Sequence, residues 1–133
     1  MTRNRLLEIV THGTTGAVPT LRLLCRLDEI AEPGSRGFRI GSGDEAHSVL
    51  VVRHGGRVVA YENSCPHLGS PLDWVPDRFL DLEKRFILCA THGALFRIMD
   101  GHCVAGPCAG RGLRPVPVIV ESGGIYLGGD GPP

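Results

Sequence analysis

Two cysteine-histidine pairs constrain this chain more than any other feature. The first is Cys65-x-His67 in the stretch NSCPHLGSPLDW, the second is Cys89-x-x-His92 in LCATHGALF, and 21 residues separate them. A glycine closes each pair, Gly69 and Gly93, and each pair is entered from a hydrophobic run. A turn lets side chains two or three residues apart converge, so thiolate and imidazole at this spacing can hold one metal centre from two loop tips. The fold must therefore bring two loops to one place.

The rest of the chain suits such a fold. At 133 residues it has the size of one domain with a real core. Its 19 glycines and 10 prolines, against one Trp, two Tyr and four Phe, describe short strands joined by many loops. Fourteen basic residues balance fourteen acidic ones, which leaves no basic face for nucleic acid. There is no apolar run near the ~18 residues a membrane helix needs, and the opening MTRNRLLEIVTHGTTG resembles neither a signal peptide nor an anchor. Five cysteines, an odd number with two beside histidines, fit metal binding in a reducing compartment better than a disulfide framework, so the expected location is the cytoplasm.

The runs LRLLCRL, GFRIG, HSVLVVRH and RVVAYEN predict four strands, the last two forming a hairpin about Gly55-Gly56. In the connector SPLDWVPDRFLDLEK, Pro71 and Pro76 argue against one regular helix. RFILC then predicts a strand into the second loop, ALFRI a strand out of it, and LRPVPVIVESGGIYLG a closing hairpin about Ser122-Gly123-Gly124. The expected fold is all-β, an antiparallel sandwich or barrel with both Cys-His loops at one end. Residues 1–19 are expected to form a flexible lead-in, 20–128 the domain and 129–133 a flexible tail.

CPHLGSPL followed by CATHGALF, DGHCVAGPC and the later VPV resembles the Rieske family of iron-sulfur proteins, and within it the small Rieske-type ferredoxins. The resemblance covers about residues 21 to 128. It implies a fold of three small sheets with one 2Fe-2S cluster at the tip, Cys65 and Cys89 on one iron and His67 and His92 on the other. It also implies that Gly106-Pro107 belongs to a proline loop closing over the cluster. Two thiolates and two neutral imidazoles leave the oxidised centre near neutral, so an added electron costs less than in an all-cysteine centre. Each histidine would keep one ring nitrogen for solvent or a partner.

The chain departs from the high-potential members of that family. Those join the two loops by a disulfide at the positions of Ser70 and Thr91, and carry hydroxyl donors at the positions of Ala94 and Phe96. Losing both donors places the expected midpoint toward the lower end of the Rieske range of roughly −150 to +300 mV. Gly69 and Gly93 would let backbone amides approach the cluster, and Pro66, Pro71 and Pro107 would stiffen the loops. Leu72 and Trp74 could shield the flank of the cluster, but a plain core role is expected of both, and Cys25 reads as a small buried hydrophobe. Cys103 and Cys108 bracket VAGP and could be free thiols beside the cluster, a loop disulfide, or ligands of an all-cysteine cluster. The plant-type spacing Cys-x4-Cys-x2-Cys needs a further cysteine that does not follow, and free thiols lining the proline loop are the preferred reading. His12, His47, His54 and His102 are scattered and receive no role.

Three functions fit. The first is a non-catalytic one-electron carrier between a flavin-containing reductase and a terminal oxygenase or other redox enzyme. It would dock through a small patch round His67 and His92 that includes Leu68 and Leu95. The second is a permanent redox subunit of a larger enzyme such as a nitrite reductase. The third is a zinc module, since two cysteines and two histidines also suit tetrahedral zinc, although the pairs are tighter than in zinc fingers and no basic helix accompanies them. The chain is expected to lack the additional mononuclear-iron domain of Rieske oxygenases, and no nucleophile-base pair or phosphate-cradling loop stands out.

Overall fold

The structure, a computed structural model, describes residues 22–41, 43–66 and 69–128. The lead-in expected at 1–19 and the tail expected at 129–133 lie outside the described residues. Among the described residues nine strands form three antiparallel sheets of three strands each, as expected of the all-β fold. The strands are β1 (Arg22–Arg26), β2 (Gly34–Ile40), β3 (His47–His54), β4 (Arg57–Glu62), β5 (Phe86–Leu88), β6 (Leu95–Arg97), β7 (Cys103–Ala105), β8 (Val118–Glu121) and β9 (Gly124–Leu127).

The middle sheet, β2-β3-β4, explains the rest. In β3 the run Val49-Leu50-Val51-Val52 is wholly buried. Side chains alternate faces along a strand, so Leu50 and Val52 enter one core and Val49 and Val51 the other. Ala60 and Tyr61 on β4 divide in the same way. One core holds Cys25, Ile30, Val116 and Ile125 beside the sheet β1-β9-β8. The other holds Leu72, Phe79, Ile87 and Phe96 beside the sheet β5-β6-β7, together with Cys65, Cys89, Cys103 and Cys108.

Two tight turns follow from glycine. His54 pairs with Arg57, so Gly55 and Gly56 form a two-residue turn with φ of 62° and 79°. That is the left-handed region required by the hairpin turn whose twist matches the strands. The second hairpin turns on Ser122 and Gly123 alone, because Gly124 already pairs with Glu121.

The connector from Leu72 to Phe86 contains no helix and is fastened by side chains. Ser35 Oγ donates to the Asp77 carbonyl at 2.8 Å, and the Asp77 carboxylate accepts from the Gly37 amide at 2.8 Å. Asn63 Oδ1 accepts from the Leu72 amide at 2.7 Å, which fixes the exit of the first loop. Tyr61 donates its hydroxyl to the Ile98 carbonyl at 2.7 Å, linking the middle sheet to the end of β6. Leu72 is buried as expected, but Trp74 is 73% exposed, against the core role read from its size.

Candidate metal centre

The two Cys-His loops close in the same way although their histidines sit at different offsets. In the first, the Cys65 amide donates to the Ser70 carbonyl at 2.8 Å, and the Gly69 amide donates to the Cys65 carbonyl. In the second, the Cys89 amide donates to the Ala94 carbonyl at 2.9 Å and the Gly93 amide to the Cys89 carbonyl at 2.8 Å. Each loop thus bonds from its cysteine to the fourth and fifth residues beyond. The fourth residue is a glycine in the left-handed region, Gly69 at φ 79° and Gly93 at φ 73°. The loops are tied together where the Ala90 amide donates to the Leu72 carbonyl at 2.9 Å, and where Trp74 Nε1 donates to Thr91 Oγ1 at 3.1 Å.

This closure brings the ligand atoms of Cys65, Cys89 and His92 within 4.8 Å of one another. Both cysteines are fully buried. His67, expected as the fourth ligand, lies outside the described residues, as does Leu68. Burial pushes the Cys89 thiol above its ordinary pKa, while the backbone amides of His92 and Thr91 pull the other way. A cation or cluster arriving here must displace the proton, so loading releases protons.

A third loop covers the other two. Gly106 adopts φ 98°, and a Cβ there would stand 2.7 Å from Ala94 Cα, so only glycine lets the chain press against the second loop. The turn then continues through Pro107 and Cys108, the Ala109 amide donating to the Gly106 carbonyl at 3.2 Å. Arg111 reaches back and donates from Nη1 to the Pro66 carbonyl at 3.0 Å, pinning the first loop.

A family model described as the Rieske [2Fe-2S] domain matches residues 21–120. The chain belongs to the Rieske [2Fe-2S] family. Among curated relatives, the ferredoxin component of the alkene monooxygenase system of Xanthobacter autotrophicus is 29% identical over 107 residues, which is 79% of this chain and 78% of the relative. The solved ferredoxin of carbazole 1,9a-dioxygenase from Nocardioides aromaticivorans IC177 is 28% identical with a TM-score of 0.61, covering 80% of this chain and 93% of that one. A chain from a complex of reduced oxygenase and oxidized ferredoxin in carbazole 1,9a-dioxygenase is 25% identical with a TM-score of 0.64, covering 80% and 91%.

Membership of the Rieske family carries one 2Fe-2S cluster as cofactor. The described residues fit it: two buried sulfurs and an imidazole converge, the donor set that suits iron-sulfur chemistry. A buried hydroxyl in the first loop, Ser70 Oγ, has no hydrogen-bond partner among the described residues. A polar wall group of that kind fits an acceptor which those residues do not supply.

At the two positions bridged by a disulfide in high-potential Rieske proteins, Ser70 and Thr91 stand instead, and Thr91 holds the exposed indole of Trp74. Ala94 and Phe96 are both fully buried and bring no hydroxyl. None of the five cysteines is in a disulfide, in line with the free thiols expected at Cys103 and Cys108. The sequence reading missed three contacts of this Rieske tip: Arg111 on Pro66, Trp74 on Thr91, and the approach of Cys108 to Cys65, whose sulfurs are 3.8 Å apart. The first and last join residues more than 40 positions apart, and no local spacing signals them.

Proposed function

We propose that this chain is a one-electron carrier, reduced by a flavin-containing reductase and oxidised by a terminal oxygenase, with Cys65, Cys89, His67 and His92 holding its cluster. The observation that carries this reading is the match over most of both chains to ferredoxin components of oxygenase systems. The cluster supplies reversible uptake of a single electron. The protein's own residues do the remainder. Buried Cys65 and Cys89 hold the inner side of the site out of water, and three interlocked loops limit rearrangement when charge arrives. His92, only partly buried, lies toward the surface where an electron would leave.

Docking would use the exposed face beside His92. Trp74 stands there, fixed through its indole N–H to Thr91, the residue before the ligand. Val75 next to it is half exposed, whereas Leu95, expected in the patch, is only partly accessible within β6. Aromatic anchors with few rotamers suit small transient redox interfaces, which must release quickly. The five unpaired thiols support a reducing compartment, the cytoplasm. Among the described residues no helix is long and apolar enough to cross a membrane.

The test is NADH-dependent reduction of cytochrome c by a flavin ferredoxin reductase from an oxygenase system, with and without this protein. The protein is expected to accelerate it in proportion to its concentration. Trp74→Ala should slow the coupled rate severalfold with an unchanged visible spectrum, and Trp74→Phe should keep most of it. No acceleration by the wild type, with its cluster intact, would contradict the carrier reading.

A further inference from the structure

Cys108 is 1% exposed, and its Sγ lies 3.8 Å from Sγ of Cys65. Its backbone is held on both sides. The turn at Gly106 presses on Ala94, and the Arg111 amide donates to the Cys108 carbonyl at 2.9 Å. The thiol is thereby aimed at the first loop and away from water. Cys103, the neighbouring thiol on β7, lies beside Cys108 as well and donates to the Ala105 carbonyl at 3.2 Å.

Between two protonated thiols either sulfur can donate. As a ligand, Cys65 is a thiolate with lone pairs only, so the proton of the pair must sit on Cys108 and the direction of the bond is fixed. We propose that Cys108 is a positioning residue whose S–H donates a hydrogen bond to the sulfur of Cys65, holding the closing loop on the first loop and favouring the reduced form of the centre. This rests on the reading of Cys65 as a ligand. Part of the charge added on reduction resides on the ligand sulfurs, and donors to them raise the potential. Ala94 and Phe96 offer no hydroxyl for that purpose. Cys108 supplies a donor from the third loop instead, to the sulfur of the first.

The experiment compares midpoints of the full-length protein with its cluster loaded, for wild type, Cys108→Ala, Cys108→Ser and Cys103→Ser. Protein-film voltammetry gives the potential, and resonance Raman spectra in H2O and D2O give the iron-cysteine stretches. All three variants should keep iron and sulfide. Cys108→Ala should make the reduced form roughly threefold less favoured, a downward shift of ~30 mV for a one-electron couple. It should also remove a deuterium shift present in the wild type. Cys108→Ser, which keeps a donor, should restore part of both, and Cys103→Ser, which leaves the Cys108 thiol beside Cys65, should move both less than Cys108→Ala does. A midpoint of Cys108→Ala equal to wild type, or of Cys108→Ser equal to Cys108→Ala, overturns the proposal. Loss of iron from both Cys108 variants also overturns it, by making Cys108 a ligand or a purely structural thiol. A wild-type protein that carries no iron fails earlier and at a different point, the reading of Cys65 as a ligand.

Discussion

Alanine at Cys65, Cys89 or His92, introduced one at a time, is expected to leave a colourless protein with iron and sulfide at background. Each change removes one of three donors gathered within 4.8 Å, and no carboxylate stands in that group to replace it. The loops owe their shape partly to their own hydrogen bonds, but those are few, and metal binding in such loops is also folding free energy. The variants should therefore melt earlier than the loaded wild type, by about 4 °C for each kcal/mol lost in a domain of this size. The two cores flanking β3 should keep the sheets assembled, since Cys25, Val49, Val51 and Ile125 lie in the core remote from the site. Far-ultraviolet circular dichroism, iron analysis and thermal melts check the three parts of this prediction. Alanine at His67 belongs to the same series, and retention of the cluster in that variant would remove His67 from the proposed ligand set.

The second large effect concerns potential. The wild-type midpoint is expected toward the lower end of the Rieske range, near roughly −150 mV rather than +300 mV. A hydrogen bond to the cluster or its sulfurs is stronger when the centre carries the extra electron. It lowers the free energy of the reduced form and raises the midpoint. Ala94 and Phe96 are fully buried in the wall of the site without such donors. Ala94→Ser with Phe96→Tyr should therefore raise the midpoint, by about 40 mV for each kcal/mol gained and about 1 kcal/mol for each bond. Ala94 also bears the packed Gly106, so the single Phe96→Tyr variant separates the hydroxyl effect from any shift of the closing loop. A wild-type midpoint well above zero would show that Cys108, Arg111 and the loop amides outweigh the two missing hydroxyls.

The parts of this molecule that could be read in advance are those in which chemistry is written locally. The run HSVLVVRH reads as a strand and Gly55-Gly56 as its hairpin turn, and both form; that Val49 to Val52 are buried on both faces is seen only in the structure. The spacing of the Cys-His pairs matches the reach of side chains on one turn, and the structure gathers Cys65, Cys89 and His92, while His67 lies outside the described residues. The strand β7 was missed, since Cys103-Val104-Ala105 is three residues long and ends at a glycine. Its pairing with β6 depends on the third loop lying over the second, a tertiary event. Trp74 was misplaced for a related reason. Hydrophobic area favours burying an indole, but the bond to Thr91 holds it on the surface beside His92. Contacts such as Arg111 with Pro66 have no sequence signature, because loop position, not composition, brings them together.

Everything rests on two cysteines and two histidines sharing one iron-sulfur centre. Pulsed EPR of the dithionite-reduced protein, recorded with ligand-nitrogen modulation, tests that claim most directly. The expected result is a red-brown protein, paramagnetic on one-electron reduction, whose spectrum shows coupling to two imidazole nitrogens that narrows to one in the His92→Cys variant. A colourless, EPR-silent protein holding stoichiometric zinc, or an iron-sulfur signal without nitrogen coupling, would contradict it.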